Sequence, residues 1–277
     1  MVTLMELAEA ARVRLLGAEF DLVTPAQVLA AIQAVTARRG LAVVANHNAH
    51  SIYLCRRSPA LRAFFEQAEV IEVDSTPVIA WGRLLGLPIS GEHRSTYLDW
   101  REDFWRLADA EGWRVFYLGG APGVAEAAIE TLNRRWPHVR IAAQHGYIDT
   151  APDSDDDRAL LKTIAAFDPD VIFVGMGMPR QELWILDHRP LLLRGVLFSV
   201  GAAFDYEAGV QSPAPRWMGR MGVEWLYRLA TQPRRLGFRY LVEPWFLAPA
   251  ALADVRDRLM RRGSAGTAPL ARARRAS

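Results

Sequence analysis

The sequence predicts an α/β protein, a mostly parallel sheet flanked by helices, followed by a basic helical C-terminal stretch. Three observations carry this expectation. Short apolar runs such as VIFVG (171–175) recur between segments of helical spacing, and crossovers of that length return each strand in the same direction. Several of these runs break at glycine and deliver polar side chains where the chain turns, as open α/β sheets do at a ligand site. Positive charge gathers at the end of the chain. From Ser212 onward there are 13 Arg and no Lys against 4 Asp or Glu, a net of +9, so the preceding part carries about −7 beneath the formal total of +2.

Each element follows in order. A Thr24 cap opens a helix over Pro25–Arg39, and LAVVAN (41–46) reads as a buried strand. Helices are expected at Ala49–Arg57 and Pro59–Ala68, then the strand VIEV (70–73) and a helix over Pro77–Leu85. A helix from Tyr97 to Glu111 leads into the strand Trp113–Gly120, followed by a helix over Val124–Arg135 and a strand over Val139–Gln144. An acidic helix start near Asp155 precedes two glycine-broken strands, the first entering VIFVGMGMPRQELW (171–184) and the second FSVGAAFDYEAG (198–209). The stretch Leu236–Ala253 is interrupted by Arg239, Glu243, Pro244 and Pro249, so it is expected to lie on a surface rather than cross a membrane. The last residues, 263–277, are low in large apolar side chains and are expected to be disordered.

With 277 residues, 51% hydrophobic and 23% charged, the chain can bury one substantial core. A single cysteine, Cys55, excludes an intrachain disulfide and fits a reducing compartment. The N-terminal stretch alternates charged and apolar residues instead of carrying the apolar core of a signal peptide, so a cytoplasmic location is expected. Aromatic residues among the C-terminal arginines suit an anionic bilayer or a nucleic acid; a solvated basic helix packed on the body is the plainer alternative.

Candidate chemistry concentrates at the strand ends. Asp74 follows VIEV, where it reads either as a helix cap or as a catalytic carboxylate. Asn46, His47, Asn48 and His50 follow another strand and suggest polar ligand recognition, with only weak support for a metal. YLGGAPG (117–123) brings Gly119 and Gly120 to a turn whose amides could face a diphosphate, although it lacks the full dinucleotide fingerprint and the chain lacks a Walker loop. HGYID (145–149) adds Tyr147. In VIFVGMGMPRQELW, Gly175 and Gly177 allow close backbone approach and Pro179 starts a helix that presents Gln181 and Glu182. DSDDD (153–157) superficially resembles a metal-holding acidic motif, yet it precedes a helical run and reads as a helix cap; no metal is expected.

Taken together, VVANHNAHSI, VIEVDSTPVIAWGRLLG, VFYLGGAPGVAEAAIETLNRRWP, HGYID, PDVIFVGMGMPRQELWI, VGAAFDYEAGVQSPAPRWM and GVEWLYRLATQPRRLGFRYL resemble the WecG/TagA/CpsF family of bacterial glycosyltransferases, glycosyltransferase family 26, over roughly residues 15–247. The resemblance implies a Rossmann-like domain that transfers a sugar, N-acetylmannosamine or glucose, from a UDP-sugar to a polyprenyl-diphosphate-linked saccharide. It implies inversion, no cofactor and no metal, and a role in exopolysaccharide or related surface-glycan assembly. The runner-up is a non-catalytic nucleotide-sugar-binding or scaffold protein of the same pathway. The division it suggests is a transferase domain over 1–232, a basic membrane-associating appendage over 233–262 and a tail over 263–277. Expected partners are the UDP-sugar, the lipid-linked glycan and an anionic membrane surface at the inner face of the plasma membrane; nucleic acid is not among them, and homo-oligomerisation stays open.

By position, Asp74 matches the family's proposed general base, Asn48 its asparagine near the sugar nucleotide, Gln181 the glutamine of PxQE and Asp205 the acid of GxxFD. Asn46 stands where many members have Thr. The family often has an arginine after the segment equivalent to GLPIS, where this chain has Glu92, and Arg94 is the nearest substitute. Arg216, Arg228, Arg234, Arg235 and Arg239 are further candidates, because a leaving diphosphate needs positive charge or amide dipoles when no metal neutralises it.

Overall fold

The computed structural model describes residues 11–263, the side chains of Arg216, Arg220 and residues 261–263 excepted. Its centre is a six-stranded, wholly parallel sheet in the order β4-β3-β8-β7-β5-β6. These strands are β3 (Leu41–His47), β4 (Val70–Val73), β5 (Arg114–Gly119), β6 (Arg140–Gln144), β7 (Val171–Gly175) and β8 (Gly195–Ser199). Helices return the chain between them: α1 (Pro25–Ala37), α2 (Ala49–Cys55), α3 (Pro59–Gln67), α4 (Thr76–Leu84), α5 (Tyr97–Glu111), α6 (Val124–Arg135), α7 (Asp155–Phe167) and α8 (Arg180–His188). The expected strand and helix order holds, with ends differing by a residue or two. The Thr24 cap is present, its hydroxyl accepting from the Gln27 amide while Gln27 reaches back to the Thr24 amide.

The pleat divides the core in two. On one face Val44, Val115, Tyr117, Phe173 and Phe198 pack against α1, α5 and α6; on the other Val43, Phe116, Leu118, Ile172 and Leu197 pack against α3, α7 and α8. Successive residues of a strand point to opposite faces, so strands covered on both sides must be apolar throughout. That is why these segments read as continuous apolar runs. Phe173 is the hub of the first face: its fully buried ring lies within 6.4 Å, centroid to centroid, of Tyr97, Trp100, Phe104, Trp105, Phe198 and Phe204.

The first two strands were not read from the sequence. β1 (Arg12–Leu15) and β2 (Ala18–Asp21) form an antiparallel hairpin around a two-residue turn in which Leu16 and Gly17 both take positive φ, 55° and 80°. Asp21 then serves the main sheet. Its carboxylate accepts from the Ile71 amide at 2.8 Å and receives Arg12 Nε and Nη2, each at 2.8 Å. The hairpin thus covers part of edge strand β4.

After β8 come α9 (Ala203–Glu207), α10 (Arg216–Arg220), α11 (Glu224–Thr231), α12 (Pro233–Leu241), a 3-10 turn (Glu243–Leu247) and α13 (Ala248–Gly263). Leu236–Ala253 is divided among three of these elements, and no helix among the described residues is long and apolar enough to cross a membrane. The end of the chain is anchored on the body. Asp254 accepts from the Leu16 amide at 2.8 Å and from Trp81 Nε1 at 3.1 Å, and the Arg57 guanidinium lies over the Phe246 ring. The tail expected over 263–277 lies, beyond Gly263, outside the described residues.

Phe173→Ala removes the ring on which six aromatics converge. We expect a loss of about 3–5 kcal/mol of unfolding free energy, measured by denaturant titration, with Phe173→Leu costing less.

Candidate active site

All six parallel strands end on one edge, and the loops there enclose two cavities. The larger, ≈ 840 Å³, runs across the strand ends and is lined by Asn46, Glu72, Gly120, Gly146, Gly175, Ser199 and Asp205, among others. The smaller, ≈ 510 Å³, is largely apolar, with Leu16, Pro77, Val78, Trp81, Trp225, Leu247 and Ala251 in its wall. Asn48, His50, Asp74, Arg228, Arg239 and Tyr240 line both. Asp74 therefore sits where a polar chamber meets an apolar one.

The structure does not bear out one of the two sequence readings of Asp74, the helix cap. Ser75, not Asp74, is the N-cap of α4, and the Asp74 carboxylate makes no hydrogen bond among the described residues. Only its backbone is fixed, the amide donating to His47 O at 2.9 Å. Burial pushes this carboxyl up to about 6, against the opposing pull of Arg228 and Arg94. A carboxylate with no hydrogen bond from the protein and a raised pKa can take a proton from a bound hydroxyl.

Two of the cations around it, Arg94 and Arg228, are held by carboxylates. Glu224 on α11 receives Arg94 Nη2 at 2.9 Å and also Arg228, while Arg94 Nη1 reaches Asp99 at 3.3 Å. One acidic side chain thus ties an arginine of the sheet-edge loops to an arginine that follows the sheet. Glu72 lies in the polar cavity, buried, accepting from the Ser95 hydroxyl. Burial raises its carboxyl to about 8, so at neutral pH it is a neutral acid beside Asp74.

Of the residues expected at the site, Asn46, Asn48, Asp74, Gly120, Tyr147, Gly175, Gly177, Gln181, Asp205, Arg228 and Arg235 all line the polar cavity, and Arg94 lines the apolar one. Several have other duties as well. Asn48 caps α2, its side-chain oxygen accepting from the Ser51 amide at 3.1 Å, which leaves its amide nitrogen for a ligand. Asn46 Nδ2 donates to Ser95 O at 3.1 Å. The Asp205 carboxyl is raised by burial, partly offset by Arg235.

Three of the expected residues lie outside both cavities. Gly119 lines neither cavity: a Cβ there would collide with the Gly175 carbonyl, so glycine serves the close approach of β5 and β7. Glu182 is fully buried away from both cavities, accepting from Gln181 Nε2 at 2.7 Å, and burial raises its carboxyl to about 7. Arg234 is exposed and also lines neither cavity. The side chain of Arg216 lies outside the described residues.

Other motifs resolve simply. Ser154 caps α7, accepting from the Asp157 amide at 3.1 Å, so DSDDD is a helix start. No group of three or more His, Cys, Asp or Glu suited to a metal occurs among the described residues. Burial pushes the Cys55 thiol up to about 12, which makes it a poor nucleophile. His47 is buried and stacked on Phe65 at 3.5 Å. Sequence reasoning named His50 beside Asn46 and Asn48 but passed over Glu72, Tyr206 and Glu243 as site residues; only Glu72 gave a signal, a charge inside an otherwise apolar strand.

Comparison with known proteins agrees with this geometry. The model of the Glycosyl transferase WecG/TagA/CpsF family matches residues 13–261. The chain belongs to that family. A Staphylococcus aureus (strain NCTC 8325 / PS 47) protein named N-acetylglucosaminyldiphosphoundecaprenol N-acetyl-beta-D-mannosaminyltransferase is 30% identical over 246 residues, 85% of this chain and 91% of the relative. Proteins of the same name from S. aureus strains COL and MSSA476 match equally, 30% over 246 residues. Within this family member the PxQE glutamine has a visible structural task. Gln181 Oε1 accepts from the Gly177 amide at 3.1 Å and from the Gly201 amide at 3.2 Å, bracing the loops after β7 and β8 against each other.

Gln181→Met would leave both amides unpaired. We expect a loss of about 1–3 kcal/mol in stability and faster hydrogen exchange at Gly177 and Gly201, with the amides inside β7 unchanged.

Proposed function

We propose that this glycosyltransferase moves a sugar from a UDP-sugar to a saccharide carried on a polyprenyl diphosphate, in a single inverting displacement. The observation that carries the reading is the pairing of a polar and an apolar cavity around the Asp74 carboxylate and the arginines Arg228 and Arg239. A nucleotide sugar suits the polar chamber at the glycine-bearing strand ends; a lipid-borne acceptor needs an apolar wall beside its diphosphate and sugar. The relatives' printed name favours N-acetylmannosamine over glucose as the transferred sugar.

In this mechanism Asp74 takes the proton of the acceptor hydroxyl while that oxygen bonds to the anomeric carbon. The bond from that carbon to the β-phosphate oxygen breaks on the opposite face, and UDP departs with the bonding pair. The charge that develops on the diphosphate falls to arginines, with Arg228, Arg235 and Arg239 bordering the polar cavity. No metal is required in this scheme. The C-terminal elements supply the membrane contact: Arg234 and Arg235 are exposed on α12 beside Phe238 (55%) and Leu241 (57%), and Trp245 (77%) follows in the 3-10 turn. We place the enzyme on the inner face of the plasma membrane, where surface glycans are assembled on lipid carriers.

The deciding experiment screens UDP-sugars against lipid-diphosphate saccharides, with and without chelator. Transfer that survives chelation is expected; chelator-sensitive transfer counts against the metal-free scheme, and absence of transfer against the whole reading. Asp74→Asn should retain UDP binding and lose at least about a hundredfold in kcat. Because the base works only when ionised, wild-type kcat/KM should fall about tenfold per pH unit below about 6. An acid limb that persists unchanged in residual Asp74→Asn activity would assign it to another group. On the membrane side, Arg234→Glu with Trp245→Ala should lower sedimentation with anionic vesicles about tenfold, and equal sedimentation would remove this face from consideration.

A further inference from the structure

His50 and Glu243 belong to different parts of the chain and meet at the boundary of the two cavities. His50 lies on α2, directly after the strand end that carries Asn46 and Asn48; Glu243 opens the 3-10 turn near the end of the chain. His50 Nδ1 and Glu243 Oε2 are 2.6 Å apart, with 18% and 6% of the two side chains exposed. A carboxylate can only accept, so the imidazole carries its proton on Nδ1 and presents Nε2 as a bare lone pair. Nε2 has no hydrogen-bond partner among the described residues, and His50 lines both cavities alongside Asp74.

The neighbours restrict what can satisfy that nitrogen. Arg228 and Arg239, which share the boundary, have only donors, and burial together with Arg239 lowers the imidazole's pKa, against the opposing effect of Glu243. Phosphate oxygens are acceptors and would be repelled by a second lone pair, so the leaving diphosphate belongs with the arginines and not with His50. A sugar hydroxyl is the ligand group that can donate there. The boundary then offers two acceptors, Asp74 and His50 Nε2, to a ring that carries several hydroxyls.

We infer that His50, oriented by Glu243, is a recognition residue for the acceptor saccharide: Nε2 accepts a hydrogen bond from one ring hydroxyl while Asp74 deprotonates another. The inference rests on the lipid-linked acceptor proposed above. It makes Glu243 a positioning residue, since its carboxylate decides which ring nitrogen is bare. It also places part of acceptor selection on the elements that follow the sheet.

Steady-state kinetics with short-chain lipid-diphosphate saccharides test it. His50→Ala should lower kcat/KM for the acceptor about tenfold with the UDP-sugar KM unchanged, and His50→Gln, whose amide oxygen also accepts, should recover most of the loss. Glu243→Gln should show a smaller loss of the same kind. Among acceptors lacking one hydroxyl, one should be discriminated against by the wild type and not by His50→Ala. Should His50→Ala fail to fold, judged by UDP binding and thermal melting, His50→Phe keeps the ring volume without the nitrogen and carries the same comparison. An unchanged acceptor kcat/KM, a loss confined to the UDP-sugar KM, or equal discrimination among deoxy acceptors by wild type and variant overturns the inference. A wild type that transfers to no lipid-linked acceptor defeats the functional reading beneath it, whereas an active wild type with an indifferent His50 variant defeats only the role of His50.

Discussion

Parallel strand direction is the constraint from which the site follows. A chain that pairs six strands in parallel must return through a crossover after each one, and every strand then finishes on the same edge. That edge gathers Asn46 from β3, Asp74 after β4, Gly120 after β5, Gly146 after β6, Gly175 from β7 and Ser199 from β8 around one chamber. Covering both faces with helices leaves the strand ends as the open side, and polar side chains placed there need not cross the apolar core.

Glycine permits the strand ends to approach one another as closely as they do. A Cβ on Gly119 would strike the Gly175 carbonyl, and one on Gly175 would strike the Gly201 carbonyl and the Tyr117 hydroxyl. The loops after β5, β7 and β8 are consequently in backbone contact, and Gln181 fastens two of them through a single carbonyl oxygen. Closely approaching backbone and ionisable side chains together wall the chamber. There the Asp74 carboxylate makes no hydrogen bond among the described residues while Glu224 engages Arg94 and Arg228, so the carboxylate and the nearby guanidiniums stay apart in function despite their shared field.

Much of this was legible in the residues. Continuous apolar runs at VVAN, VIEV and VIFVG announced strands buried on both faces, because a half-exposed strand would alternate. Thr24 announced the first helix, and the interruptions at Arg239, Glu243 and Pro244 announced that the C-terminal apolar stretch breaks up. The hairpin at 12–21 escaped notice because its alternation spans only four residues a strand and its turn depends on Leu16 adopting positive φ. Glu182 illustrates the opposite failure. It neighbours a cavity residue in sequence, yet α8 turns it away from the ligand side, since adjacent helical positions face directions about 100° apart.

The sequence by itself determined the element order, the parallel sheet, the family and the position of Asp74 at a strand end, because local periodicity and strand-end chemistry are written in neighbouring residues. Only the tertiary structure decided that Gly119 packs while Gly120 lines the chamber, that Gln181 braces two loops, and that His50 meets Glu243 across 193 positions of chain. Those outcomes depend on which strand ends lie side by side and how the last helices fold back, and such distances through space leave no periodic trace in the order of residues.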